Sequence, residues 1–133
     1  MSAHPSRRFW LAALLALVTT AATAAPSSGP YTNKRFYALQ DENALILVAV
    51  TGPGCPACRA QRVVLDRFQK QHPEVDLKIL WVDYDHQKRV LRYLNASLAG
   101  TLILYRGAER LGSTVAKMEE DAIIAPILSA AAR

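Results

Sequence analysis

The chain has 133 residues, 51% of them hydrophobic and 20% charged, with 6 Gly, 7 Pro and 2 Cys. That length suits one domain, and the composition excludes wholesale disorder. Two cysteines are too few for a disulfide-stapled miniprotein or a four-cysteine zinc site, and the meaning of a formal charge of +5 depends on where it lies.

Residues 1–24 read as a secretory signal peptide. Arg7 and Arg8 supply a positive start, residues 9–18 (FWLAALLALV) an apolar run, and Ala22-Thr23-Ala24 an A-x-A cleavage pattern. The apolar run falls short of the roughly 20 residues a spanning helix needs, so no stable membrane anchor is expected. Cleavage before Ala25 predicts a periplasmic or secreted protein. It leaves 14 basic and 11 acidic residues, a net charge of +3, with no aromatic-basic stripe. Nucleic acid is therefore not an expected partner.

Residues 25–30 (APSSGP) read as a short flexible linker, and the folded domain is expected over residues 31–133. Residues 31–40 fit either a short helix, capped by Thr32 or Asn33 with Phe36 and Leu39 on one side, or a first strand. Residues 45–50 (LILVAV) have the length and unbroken apolar character of a strand buried on both faces. Thr51-Gly52-Pro53-Gly54 breaks that run, and Cys55-Pro56-Ala57-Cys58 opens a helix lasting to Gln71. Its inward side carries Val64, Leu65 and Phe68, while Arg59, Arg62, Arg67 and Lys70 point mainly outward. Pro73 stops it. A second strand is expected over residues 75–82, a helix over 86–94, a third strand over 101–105 and a hairpin return over 111–115. A last helix spans residues 119–131, distorted by Pro126. This order specifies a small α/β sandwich whose first two core strands run parallel. The cysteines then sit at the carboxyl end of a buried strand, where α/β sheets tend to place chemistry.

At the first turn of a helix, the Cys55 sulfur faces unsatisfied N–H groups and the positive end of the helix dipole. Both favour the thiolate, the nucleophilic form. Pro56 suits the first turn, where its missing N–H is not needed. Cys58, one turn on, points back toward Cys55 and is expected to be more buried. That suits a resolving thiol, which attacks a mixed disulfide at Cys55 and frees the partner.

From these residues onward the chain resembles the thioredoxin family, over roughly residues 31–131. The resemblance rests on LILVAV leading through a Gly/Pro turn into CPAC, on residues 81–85 (WVDYD) and on residues 101–109 (TLILYRGAE). It implies a three-layer sandwich with a central mixed sheet flanked by helices. It also implies an exported thiol–disulfide oxidoreductase that needs no cofactor beyond the Cys55–Cys58 disulfide. Its partners would be protein thiols and disulfides plus a redox-resetting protein, and the chain is expected to act as a monomer. Either direction of electron flow remains open.

The pattern departs from the family at several positions. Gly54 stands where a tryptophan usually precedes the first cysteine. The family's buried acid falls on Ala49, and its lysine neighbour falls near Trp81. The cis-proline that packs on the disulfide falls on Gly100, after Ala99, whose backbone would pair with substrate. A trans bond is expected between Ala99 and Gly100, since cis before a non-proline costs about 2.5–4 kcal/mol. Glycine removes the covering ring and predicts a freer backbone and a more open site, which Gly100→Pro would tighten.

Two other roles for the cysteines compete with exchange. A structural bridge over so short a span constrains little of the unfolded chain. Alternatively, two thiolates with His72 or His86 could hold copper or zinc in an extracytoplasmic metal-binding protein. Covalent haem attachment is excluded because Arg59, not histidine, follows Cys58.

Overall fold

The computed structural model describes Ser2 and residues 26–133, so the expected signal peptide lies outside the described residues apart from Ser2. Within the span expected as a flexible linker, Ser28–Pro30 instead form a short strand, β1. Its residues have poor strand propensity, and its order comes from tertiary pairing. The Ser27 carbonyl accepts the Ile79 N–H at 2.7 Å, and the Tyr31 N–H donates to the Trp81 carbonyl at 2.9 Å. The Trp81 indole N–H donates to Ser28 Oγ at 2.8 Å. Pro30 is tolerated because β1 is an edge strand, where a missing N–H breaks no inner ladder.

Thr32 settles the ambiguous start of the domain in favour of a helix. Its Oγ1 accepts the Arg35 N–H at 3.1 Å and caps α1 (Asn33–Asp41), which buries Phe36 and Leu39. The strand β2 (Leu45–Thr51) is buried from Leu45 through Val50. It leads into α2 (Pro56–Gln71), β3 (Leu77–Asp83) and the short α3 (Lys88–Tyr93). The hairpin of β4 (Thr101–Arg106) and β5 (Glu109–Val115) precedes α4 (Glu120–Ala131). Pro126 lies on the exposed side of α4, and the helix continues through it while Ile123, Ile127 and Ala130 stay buried.

The sheet order is β1-β3-β2-β4-β5. β1, β3 and β2 run parallel, and β4 and β5 are antiparallel to their neighbours, so the sheet is mixed. Alternate strand residues face opposite layers. Ile46, Val48, Val50, Leu80 and Ile103 pack with Phe36, Leu39, Leu91 and Leu94, which places α1 and α3 on one face. Leu45, Leu47, Ala49, Ile79 and Leu102 pack with Leu65, Phe68, Ile123 and Ile127, which places α2 and α4 on the other. This is the expected three-layer sandwich. Among the described residues no helix is long and apolar enough to cross a membrane.

Candidate active site

β2 delivers the chain to its carboxyl end at Thr51, and the turn through Gly52, Pro53 and Gly54 starts α2. Gly54 has φ +67, which glycine adopts readily, and the space where its side chain would stand is open. Cys55 is the N-cap residue. Its sulfur accepts the Cys58 N–H at 3.1 Å, the contact expected of a sulfur at a helix start. Cys55 and Cys58 are joined in a disulfide with Cα atoms 5.2 Å apart. Cys55 is half-buried and Cys58 is buried, which makes Cys55 the outer residue of the pair.

Cys58 Sγ lies 3.6 Å from the Val50 carbonyl oxygen, where its thiol would donate once the disulfide is reduced. Ala49, the position of the family's buried acid, is in the core and lies opposite Trp81 in the parallel register with β3. The Arg62 guanidinium covers the Trp81 ring at 3.9 Å from its centroid. An alanine and a cation-covered indole thus occupy the region of the missing charged pair.

Gly100 lies beside the Cys55 sulfur, but its backbone corrects the sequence reading. A Cβ on Gly100 would lie 3.7 Å from Cys55 Sγ and 3.4 Å from the Ala57 Cβ. No peptide bond among the described residues is cis. The backbone is not free, however. The Gly100 N–H donates to the Val50 carbonyl at 2.8 Å, and its carbonyl accepts the Ala116 N–H at 3.0 Å and the Gln61 amide at 2.9 Å. With φ at +83, glycine here adopts a conformation proline cannot reach and supplies a donor proline lacks. Gly100→Pro would break this loop, not tighten it. Ala99, by contrast, makes no backbone hydrogen bond among the described residues.

Gln61 was not legible as a site residue. It is buried on the stripe shared by Val64, Leu65 and Phe68, and its amide reaches the carbonyls of both Gly100 and Lys117, the latter at 3.0 Å. A polar residue at an apolar helical spacing was the available signal. The loop of Ala116 and Lys117 gave none.

His72 and His86 are not gathered at the sulfurs. His72 caps the far end of α2, stacks on Phe68 and bonds Glu74 at 2.9 Å. That hydrogen bond holds the Glu74 carboxyl below its usual range. His86 bonds Asp83 at 3.0 Å in the turn after β3, and lowers the Asp83 carboxyl in the same way. Among the described residues no three of His, Cys, Asp and Glu cluster as metal ligands would.

A family model described as Thioredoxin matches residues 30–129. Among solved structures, Trxlp from Edwardsiella tarda is 31% identical, with 73% of this chain and 94% of that chain covered and a TM-score of 0.69. Thioredoxin from Trypanosoma brucei brucei is 16% identical, with 80% and 90% covered and a TM-score of 0.66. An oxidized thioredoxin from Arabidopsis thaliana is 17% identical, with 77% and 93% covered and the same TM-score of 0.66. The last two bear on fold alone. No curated protein sequence matches the chain. The family match over most of the chain, with its cysteine pair at the start of α2, means that the chain belongs to the thioredoxin family of thiol–disulfide oxidoreductases.

Proposed function

We propose that the protein is exported and exchanges disulfides with protein substrates, with Cys55 as nucleophile and Cys58 as resolving thiol. One observation carries this reading. Cys55 is the outer, half-exposed sulfur and accepts an N–H at the start of α2, while Cys58 is buried behind it. The helix start favours the thiolate at Cys55. That thiolate attacks one sulfur of a substrate disulfide. A Cys55–substrate bond forms, the substrate S–S bond breaks, and the departing sulfur takes a proton. Cys58 then gives up its proton and attacks Cys55, which releases the second substrate thiol. Two electrons pass from the cysteine pair to the substrate, and a partner protein restores the dithiol; the reverse sequence oxidises a substrate dithiol. The Ala99 backbone would hold the substrate segment as an added strand.

Cys55→Ser is expected to abolish exchange, and Cys58→Ser to accumulate mixed disulfides through Cys55. Alkylation of reduced protein at limiting reagent should label Cys55 first; labelling of Cys58 first would reverse the roles. Export is supported by the positive start, apolar run and A-x-A pattern of residues 1–24. A mature N-terminus at Ala25 in the periplasmic or secreted fraction, read by mass spectrometry, is the expected result. An intact chain in the cytoplasm would overturn it. The metal-binding alternative gains no support from His72 or His86, each bonded to a neighbouring carboxylate.

A further inference from the structure

Among the described residues, Gln61 and Thr101 are the buried polar side chains. A methionine or leucine at position 61 would continue the apolar stripe of α2, so packing does not call for an amide there. The amide serves two carbonyls. Its two N–H groups go to Gly100 O at 2.9 Å and Lys117 O at 3.0 Å. One carbonyl lies in the loop before β4, the other in the segment after β5, and the Ala116 N–H already links those segments through Gly100 O at 3.0 Å. Gln61 ties both to α2, three residues after Cys58.

We propose that Gln61 is a positioning residue that fixes the Gly100 loop over the Cys55 sulfur and thereby sets the register in which an extended substrate pairs with the Ala99 backbone. The inference rests on the exchange reading of the site. Gly100 has no Cβ, and its left-handed backbone has no ring to stiffen it. Its orientation therefore depends on its hydrogen bonds, of which Gln61 supplies the one that reaches from α2. Without it, Gly100 O keeps only the Ala116 N–H, and Lys117 O loses its side-chain donor. A substrate that pairs with the Ala99 backbone loses its alignment, whereas a small disulfide that touches only the Cys55 sulfur does not.

The test compares two disulfides attacked by reduced protein: hydroxyethyl disulfide, and a peptide whose single cysteine carries a mixed disulfide. The same Cys55 thiolate attacks both, so their ratio cancels its protonation. Gln61→Met is expected to lower kcat/KM for the peptide by about 10- to 100-fold, mostly through KM, the order of a misplacement near one ångström. Attack on hydroxyethyl disulfide should stay within about twofold, because that step uses only the sulfur and the helix start. Parallel loss on both substrates, or no loss on either, would overturn the proposal. An unsubstituted protein that attacks neither disulfide would instead remove the exchange reading itself. A second measurement needs no substitution. The Gln61 side-chain NH2 resonances should shift when the peptide is trapped on Cys55 in Cys58→Ser protein, and stay in place when the hydroxyethyl group is trapped. Equal shifts in the two adducts would overturn the assignment even if Gln61→Met does not fold.

Discussion

Gly100 and Gly107 bracket β4, and both turn the chain with a left-handed backbone, at φ +83 and +54. Their surroundings differ. At Gly107 the hairpin turn presses on the turn between α1 and β2: the N–H donates to Ala44 O at 2.8 Å, and a Cβ would meet Asn43 Oδ1 at 2.7 Å and Gln40 O at 3.2 Å. At Gly100 a Cβ would find ordinary contact distances, but one neighbour is the Cys55 sulfur at 3.7 Å. The first glycine is required by crowding far from the chemistry. The second is required by backbone direction beside the chemistry. A left-handed glycine thus says that the chain turns, and only its three-dimensional neighbours say what the turn serves.

Proline at Gly100 is the harshest test of that contrast. Gly100→Pro forces φ near −65° and deletes the N–H that Val50 O accepts, so a loss of about 3 kcal/mol or more is expected in urea unfolding. A proline variant as stable as the parent would show that the left-handed backbone is not needed. Gly107→Ala combines a strained φ with a close approach to Asn43 and Gln40, and is expected to cost about 2–3 kcal/mol while the folded fraction exchanges disulfides normally. Gly100→Ala meets only the strain, about 1–2 kcal/mol, but its methyl group beside Cys55 should slow peptide exchange several-fold. The two alanine variants should therefore rank in opposite order for stability and for activity. If Gly100→Ala is the less stable of the pair or the more active, the contrast fails.

A smaller effect lies at the same end of the sheet. Asp83 accepts from His86, whose hydrogen bond is the main reason its carboxyl titrates below the usual range, with backbone N–H bonds from His86 and Asp85 adding to it. A lowered folded value means that Asp83 supports the turn above the ordinary carboxylate range, near pH 4, and that this support is lost as pH falls through the lowered value. His86→Ala should move the Asp83 titration up toward the ordinary carboxylate value, followed by carboxyl NMR. An unmoved titration would assign the shift to the backbone N–H groups alone.

The elements legible in the sequence are those whose order is set locally. Residues 45–50 are apolar without interruption and residues 101–105 largely so, and they form β2 and β4, two of the three inner strands. CPAC after a Gly/Pro break located the cysteines at the start of α2, and the family register put Gly100 beside Cys55 correctly. What was lost depends on distant partners. β1 is ordered by β3, about 50 residues away, through pairs such as Ser28 with Ile79, against its own poor propensity. The second strand begins at Leu77, not Val75, because Pro73 and the residues after it turn before the ladder starts. Gly100 looks free in the sequence because its acceptor, Val50 O, and its donors, Gln61 and Ala116, are scattered along the chain. Gln61 hides for the reason that periodicity counts a polar residue as outward.

Trp81 carries one further consequence. The chain has 2 tryptophans, Trp10 in the expected leader and Trp81 in the sheet. The Trp81 indole is half-buried, covered by Arg62 and tied to Ser28 at the edge strand. Its fluorescence is consequently a gauge of β1 itself: when Ser28–Pro30 lift off β3, the indole N–H loses its acceptor, the ring gains water, and the emission shifts to longer wavelength. With Trp10 absent, that emission reports fraying of the first strand ahead of unfolding of the domain, whose buried core spans β2, β3 and β4.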